Sequence, residues 1–132
     1  MTLVDTSVLI DWLRGAENPK TKAFDSIVST GAPFAISIFT FQEVLQGARN
    51  GKEYEKLRDY LGTQTILGLP YDLTFHEEAA KAYIRLRSQG KTIRSTVDLL
   101  IAMTAVREGA ALLHNDRDFD QLAGVLGELK IV

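Results

Sequence analysis

Thr2-Leu3-Val4-Asp5-Thr6-Ser7-Val8-Leu9-Ile10 passes from one periodicity to another within a single short stretch. Thr2-Leu3-Val4 is a β-prone run, and from Ser7 to Leu13 the apolar residues take helical spacing. Asp5 therefore stands where a strand hands over to a helix. In open α/β sheets, ligands bind at the carboxyl ends of the strands. Asp, Thr and Ser are also favoured helix caps, so Asp5 has an ordinary local role as well. Whether it has a chemical one depends on which other carboxylates meet it.

The same handover recurs along the chain. Asn18-Pro19 marks a break, and a helix is expected over Lys20 to Ser29, followed by a turn at Gly31-Ala32-Pro33. Phe34 to Ser37 reads as a second strand and Phe41 to Arg49 as a helix, with a stop at Asn50-Gly51. Lys52 to Leu61 is a charged amphipathic helix, Thr63 to Leu67 a short strand, and Gly68 to Asp72 a loop. Thr74-Phe75-His76-Glu77 has the form of a capping box opening a helix to Ser88. After a cap at Ser95 or Thr96, Val97 to Glu108 is apolar nearly all round, as a core helix is. Ala110 to His114 is a buried strand, Asn115 to Phe119 a turn into a short helix, and Leu129 to Val132 a last strand. Strands alternating with helices predict an α/β fold with a mainly parallel sheet covered on both faces.

The chain has 132 residues, which suits one domain over 1–132 with a substantial core. It has no cysteine, so thiol chemistry and disulfides are excluded, in keeping with a cytoplasmic setting. No apolar run approaches about eighteen residues, and no membrane association is expected. Formal net charge is −2, so contact with nucleic acid must be local or assisted by cations.

Four acids occupy special places: Asp5 and Asp116 after strands, Glu43 and Asp98 in the expected first turns of helices. Thr40-Phe41-Gln42-Glu43 is itself a capping-box pattern, Asp98 can complement a helix dipole, and Asp116 can serve a turn. Asp98 strains that explanation most, because it precedes the most apolar helix and points toward partly buried space. Two carboxylates about 4 Å apart repel by roughly 4 kcal/mol at an effective dielectric of about 20. Arg94 and Arg117 could relieve this, and so could a hard divalent cation such as Mg²⁺, with phosphodiester hydrolysis as the chemistry that follows.

Asp5-Thr6-Ser7-Val8-Leu9-Ile10, Phe39 to Val44 with Gly47, Asp98 to Ala102, and Asn115-Asp116-Arg117-Asp118-Phe119 resemble, in order and spacing, the four acidic motifs of PIN domains. The resemblance covers essentially the whole chain and is nearest to the VapC-type toxins of toxin–antitoxin pairs. It implies a three-layer α/β/α sandwich and a metal-dependent endoribonuclease acting on RNA. It implies Asp5, Asp98 and Asp116 as ligands of Mg²⁺ or Mn²⁺, and Glu43 as the residue that orients or activates water. Thr6 or Ser7 would touch the metal shell or substrate phosphate, while Asp118 is a secondary candidate. Asn115 stands where the family often has Thr or Ser, which weakens a hydroxyl role there. The implied partners are a VapB-type antitoxin and a second copy in a homodimer, with Trp12, Phe24 and Phe39 as apolar candidates for docking or for ordinary core.

Other chemistries lack their residues. There is no His-Glu-x-x-His, Gly-x-Ser-x-Gly or Gly-x-x-x-x-Gly-Lys pattern, and His76 and His114 read as structural. Lys81, Arg85, Arg87, Lys91 and Arg94 form the densest basic stretch, which reads first as a solvated face. A receiver-like signalling domain, the alternative of another class, wants an acidic pair after the first strand and a central Asp, neither of which is present. A catalytically inactive PIN-like binding module is disfavoured by the presence of all four acids.

Overall fold

The structure, a computed structural model, describes residues 1–68 and 71–132. Leu69 and Pro70, in the expected Gly68–Asp72 loop, lie outside the described residues. The strands are β1 (Thr2–Val4), β2 (Phe34–Ser37), β3 (Ile66–Leu67), β4 (Ala111–Leu113) and β5 (Lys130–Ile131). The helices are α1 (Thr6–Leu13), α2 (Pro19–Thr30), α3 (Ile38–Gln46), α4 (Gly51–Leu61), α5 (Leu73–Ser88), α6 (Thr96–Glu108) and α7 (Arg117–Val125). The strands form one sheet in the order β3-β2-β1-β4-β5, and every pairing is parallel.

Successive side chains of a strand point to opposite faces, and here that alternation divides the core in two. Leu3, Ala35 and Leu112 join a cluster with Phe75, Leu86, Ile101 and Phe119 from α5, α6 and α7. Val4, Ile36 and Leu113, each one residue further on, join Val8, Leu9, Phe24, Val44 and Leu61 from α1 to α4. The result is the expected α/β/α sandwich. Phe24 is fully buried, with Trp12 and Phe34 edge-on to it at 4.9 and 5.1 Å. Phe39 packs against the other cluster. Phe24 and Phe39 are thus core residues first.

Several helix starts differ from expectation. The capping box at Thr40–Glu43 does not form: Ser37 caps α3, accepting from the Thr40 N–H at 3.0 Å, so the helix begins at Ile38. Glu43 then falls in the second turn, where no backbone N–H is free to take it. The box at Thr74–Glu77 is likewise replaced by an Asp72 cap, which accepts from Phe75 N–H at 3.2 Å. Asn50-Gly51 acts as a start more than a stop, with Asn50 capping α4 at the Glu53 N–H. The apolar helix ends as expected, on Gly109 with φ of 64°, a conformation that costs other residues a Cβ clash.

Candidate active site

The chain leaves β1 for α1 on one face of the sheet and leaves β4 for α7 on the other, although the two strands are neighbours. That reversal opens a crevice at their carboxyl ends. Asp5 lies there, its backbone N–H donating to Leu113 O at 2.9 Å. It does cap α1: Oδ2 accepts from the Ser7 N–H at 3.0 Å and from Ser7 Oγ at 2.6 Å. Ser7 Oγ in turn accepts from Asn115 N–H at 3.0 Å, which ties the turn after β1 to the turn after β4.

The other carboxylate oxygen, Asp5 Oδ1, is buried and has no hydrogen-bond partner among the described residues. Asp5 as a whole is 3% exposed, and this burial pushes its carboxyl upward against the opposing pull of Ser7. A buried acceptor without a donor costs about 1–3 kcal/mol, more when charged, unless a proton or a cation meets it.

Asp98 occupies the first turn of α6, half-buried, behind the Ser95 cap. Desolvation pushes its carboxyl up to about 7, and the charges of Asp5, Asp116, Glu43 and Asp118 push in the same direction. Asp98, Asp116 and Asp118 each bring a carboxylate oxygen within 4.8 Å of the other two. Glu43 reaches the same region from α3, held by Thr6 Oγ1, which donates to Glu43 Oε1 at 2.7 Å. Thr6 Oγ1 also lies 3.0 Å from Thr40 Oγ1, and Thr40 Oγ1 lies 3.2 Å from Ser37 Oγ. The α3 cap is therefore wired to the acid it precedes.

Asp116 caps α7 through Asp118 N–H at 3.0 Å. Its own N–H donates to His114 Nδ1 at 3.1 Å, so that nitrogen is the unprotonated one. The His114 ring packs on Phe119 at 5.0 Å, and its Nε2 lies 3.3 Å from Asp120 Oδ1 in poor hydrogen-bond geometry. Burial lowers the His114 pKa. His114 anchors the backbone N–H of Asp116. Asp118, 3% exposed, is held below the usual carboxylate range by the Arg94 backbone N–H and then by its side chain.

Residues 2–125 match the PIN domain family. The chain belongs to that family. It is 30% identical over 126 residues to ribonuclease VapC11 of Mycobacterium tuberculosis, covering 95% of this chain and 93% of that one. It is 31% identical to ribonuclease VapC51 of the same organism, covering 96% and 88%. This PIN domain is therefore on the VapC branch, and the receiver-like alternative falls. Among solved structures, VapBC2 from Rickettsia felis bound to a promoter DNA fragment gives a TM-score of 0.75 at 18% identity, covering 99% of this chain and 96% of that one. VapBC-1 from nontypeable Haemophilus influenzae gives 0.74 at 22%, with the same coverage. At such identities these likenesses speak for the fold.

Within this PIN domain, the acids expected from sequence, Asp5, Glu43, Asp98 and Asp116, converge on one crevice. Asp118 belongs with Asp98 and Asp116 more closely than a secondary candidate would, and Asn115 contributes its backbone N–H to Ser7. Thr40, read from sequence as a cap alone, is part of the hydroxyl chain behind Glu43. The Ser37-x-x-Thr40 spacing across a strand–helix junction was the available signal. The basic stretch does not form one patch: Lys81 pairs with Glu78 at 3.6 Å, Arg87 lies over Tyr83, and Arg94 turns into the acids.

Away from these acids, a groove of about 620 Å³ runs between α1, α3 and α4. Ile10, Leu13, Val44, Leu57 and Tyr60 supply its apolar lining, with Arg14, Arg49, Glu53 and Lys56 as its charged residues. None of the described helices is long and apolar enough to cross a membrane.

Proposed function

We propose that this PIN domain is an endoribonuclease that hydrolyses RNA phosphodiester bonds with a divalent cation, Mg²⁺ or Mn²⁺, as the toxin of a toxin–antitoxin pair. One observation carries the reading: Asp5 Oδ1 is buried and without a donor among the described residues, and the charge of Asp5 acts together with those of Asp116, Glu43 and Asp118 to push the Asp98 carboxyl upward. Buried charge of this kind calls for a cation. The oxygen donor set suits Mg²⁺ or Mn²⁺, with few protein ligands and room for water and phosphate oxygens. The names of the ribonuclease relatives support the substrate class.

Asp5 Oδ1 and Asp98 would hold the ion, with Asp116 directly or through water. When bound, the ion supplies Lewis acidity toward the phosphate and a water acidic enough to attack near neutral pH. Glu43, held by Thr6, would orient an attacking water and accept its proton. Ser7 holds Asp5 in one orientation and keeps the β1 and β4 turns together. With the surface slightly acidic overall, exposed Arg117 at the start of α7 and Arg94 are the local cations for the RNA backbone.

The α1–α3–α4 groove, apolar and edged with charge, is where an amphipathic segment of a VapB-type antitoxin would dock. Structures of similar fold include a toxin–antitoxin complex from Klebsiella pneumoniae and VapBC-5 of the VapBC toxin–antitoxin family from Mycobacterium tuberculosis, which supports such a partner. A homodimer completes the reading, and sedimentation giving only a monomer mass at micromolar concentration would count against it. The activity itself is tested by incubating antitoxin-free protein with single-stranded RNA and Mg²⁺ or Mn²⁺. Cleavage should appear, stop on chelation and be lost in Asp98→Asn. Equal cutting by that variant would contradict the assignment.

A further inference from the structure

Arg94 lies in the connection between α5 and α6, and its side chain is 71% exposed. Its guanidinium nevertheless reaches back to two acids of the crevice. Nη2 donates to Asp116 Oδ1 at 2.9 Å, and Nε donates to Asp118 Oδ2 at 3.2 Å. The Arg94 backbone N–H donates to the same Asp118 oxygen at 3.0 Å. One planar group thus joins two carboxylates from a segment more than twenty residues away, and the backbone bond fixes where the side chain starts.

The acidic crevice is in this way divided. On the Asp116–Asp118 side a permanent positive charge is already seated, because a guanidinium keeps its proton in any protein environment. On the Asp5–Asp98 side no such cation is paired among the described residues, and Asp5 Oδ1 has no donor among them. The three oxygens of Asp98, Asp116 and Asp118 within 4.8 Å of one another would otherwise be a second place for a hard cation.

We propose that Arg94 stands in for a second divalent cation: the crevice takes one metal ion on its Asp5–Asp98 side, and the guanidinium holds the Asp116–Asp118 side against another. In two-metal phosphodiester chemistry the second ion stabilises charge on the attacking and leaving oxygens. Arg94 supplies a fixed charge at that place and keeps unused N–H donors for phosphate. The inference rests on the metal-dependent reading above.

The test counts Mn²⁺ bound to the purified protein by the loss of the free-ion signal in electron paramagnetic resonance. Wild type should bind one ion per chain. Arg94→Gln should bind two, the second at least tenfold more tightly than any second ion on wild type. Arg94→Lys, which keeps a charge, should stay at one, and Asp98→Asn should lose the first. Matching circular dichroism and melting temperatures show that the variants are folded, as the exposure of the side chain leads one to expect. Two ions of similar affinity on wild type would overturn the role of Arg94 whatever the variants do, and so would a single ion on Arg94→Gln. No ion on any form would instead overturn the metal-dependent reading and the proposal with it.

Discussion

Thr6 Oγ1 donates to Glu43 Oε1 across 2.7 Å, joining the first residue of α1 to the second turn of α3. The bond links the elements that follow β1 and β2, and it orients the carboxylate proposed to handle water. Thr6→Val keeps the shape of the side chain and removes the donor. Loss of a partner of this kind typically costs about 10–100-fold in activity. Single-turnover RNA cleavage should fall by about that factor, while Thr6→Ser retains most of the rate. Equal rates for Thr6→Val and wild type would mean that the bond has no part in the reaction.

Ser7 serves two carboxyl ends at once, donating to Asp5 and accepting from Asn115. Ser7→Ala leaves the Asn115 N–H without its partner and Asp5 Oδ2 with one donor fewer. The Asn115 bond is exposed and Asp5 Oδ2 keeps the Ser7 N–H, so the loss is that of an ordinary hydrogen bond, about 0.5–1.5 kcal/mol. Urea unfolding of the metal-free protein should show a loss in that range with an unchanged denaturant slope. An unchanged midpoint would contradict the bridge.

Asp98 makes stability depend on pH in a particular direction. Its carboxyl is pushed to about 7 in the folded chain, against an ordinary value of 3.8. Between those values the folded state binds more protons than the unfolded one, so the contribution is full below about 4 and is lost as pH rises through about 7. The melting temperature of metal-free wild type should therefore drop relative to Asp98→Asn as pH climbs across that window. Mn²⁺ should restore the wild type most strongly at the upper end. Parallel melting curves at all pH values would contradict the assignment. Asp98 is half exposed, so solvent screening reduces the size of the effect but not its sign.

Much of the fold was legible in the strand pattern. Leu3-Val4, Ala35-Ile36 and Leu112-Leu113 are consecutive apolar pairs, and only a sheet covered on both faces buries both members of such a pair. The four spaced acids were legible as well. Helix starts were less so, because Ser/Thr-x-x-Glu patterns arise often and local sequence does not say which hydroxyl wins. Ser37 and Asp72 stood three and two residues before the expected caps, and Glu43 was drawn off by Thr6, a tertiary partner. The pairing of Arg94 with Asp116 and Asp118 depends on how a connection folds back over α7, which periodicity does not encode. The expected docking aromatics illustrate the converse: Phe24 and Phe39 are apolar enough for a groove, but the sheet claimed both.

Asp5 is both the cap of α1 and one wall of the acidic crevice, and one substitution separates these roles. Asn caps helices about as well as Asp, yet it brings no charge. Asp5→Asn should melt no lower than wild type without metal, since burial already disfavours the ionised carboxyl. The most direct measurement is RNA cleavage by this variant alongside Mn²⁺ binding in the same preparation. The expected result is a folded protein that has lost both metal binding and cleavage. Cleavage at the wild-type rate by folded Asp5→Asn, or by wild type under chelator, would contradict the proposal that these acids hold a catalytic cation.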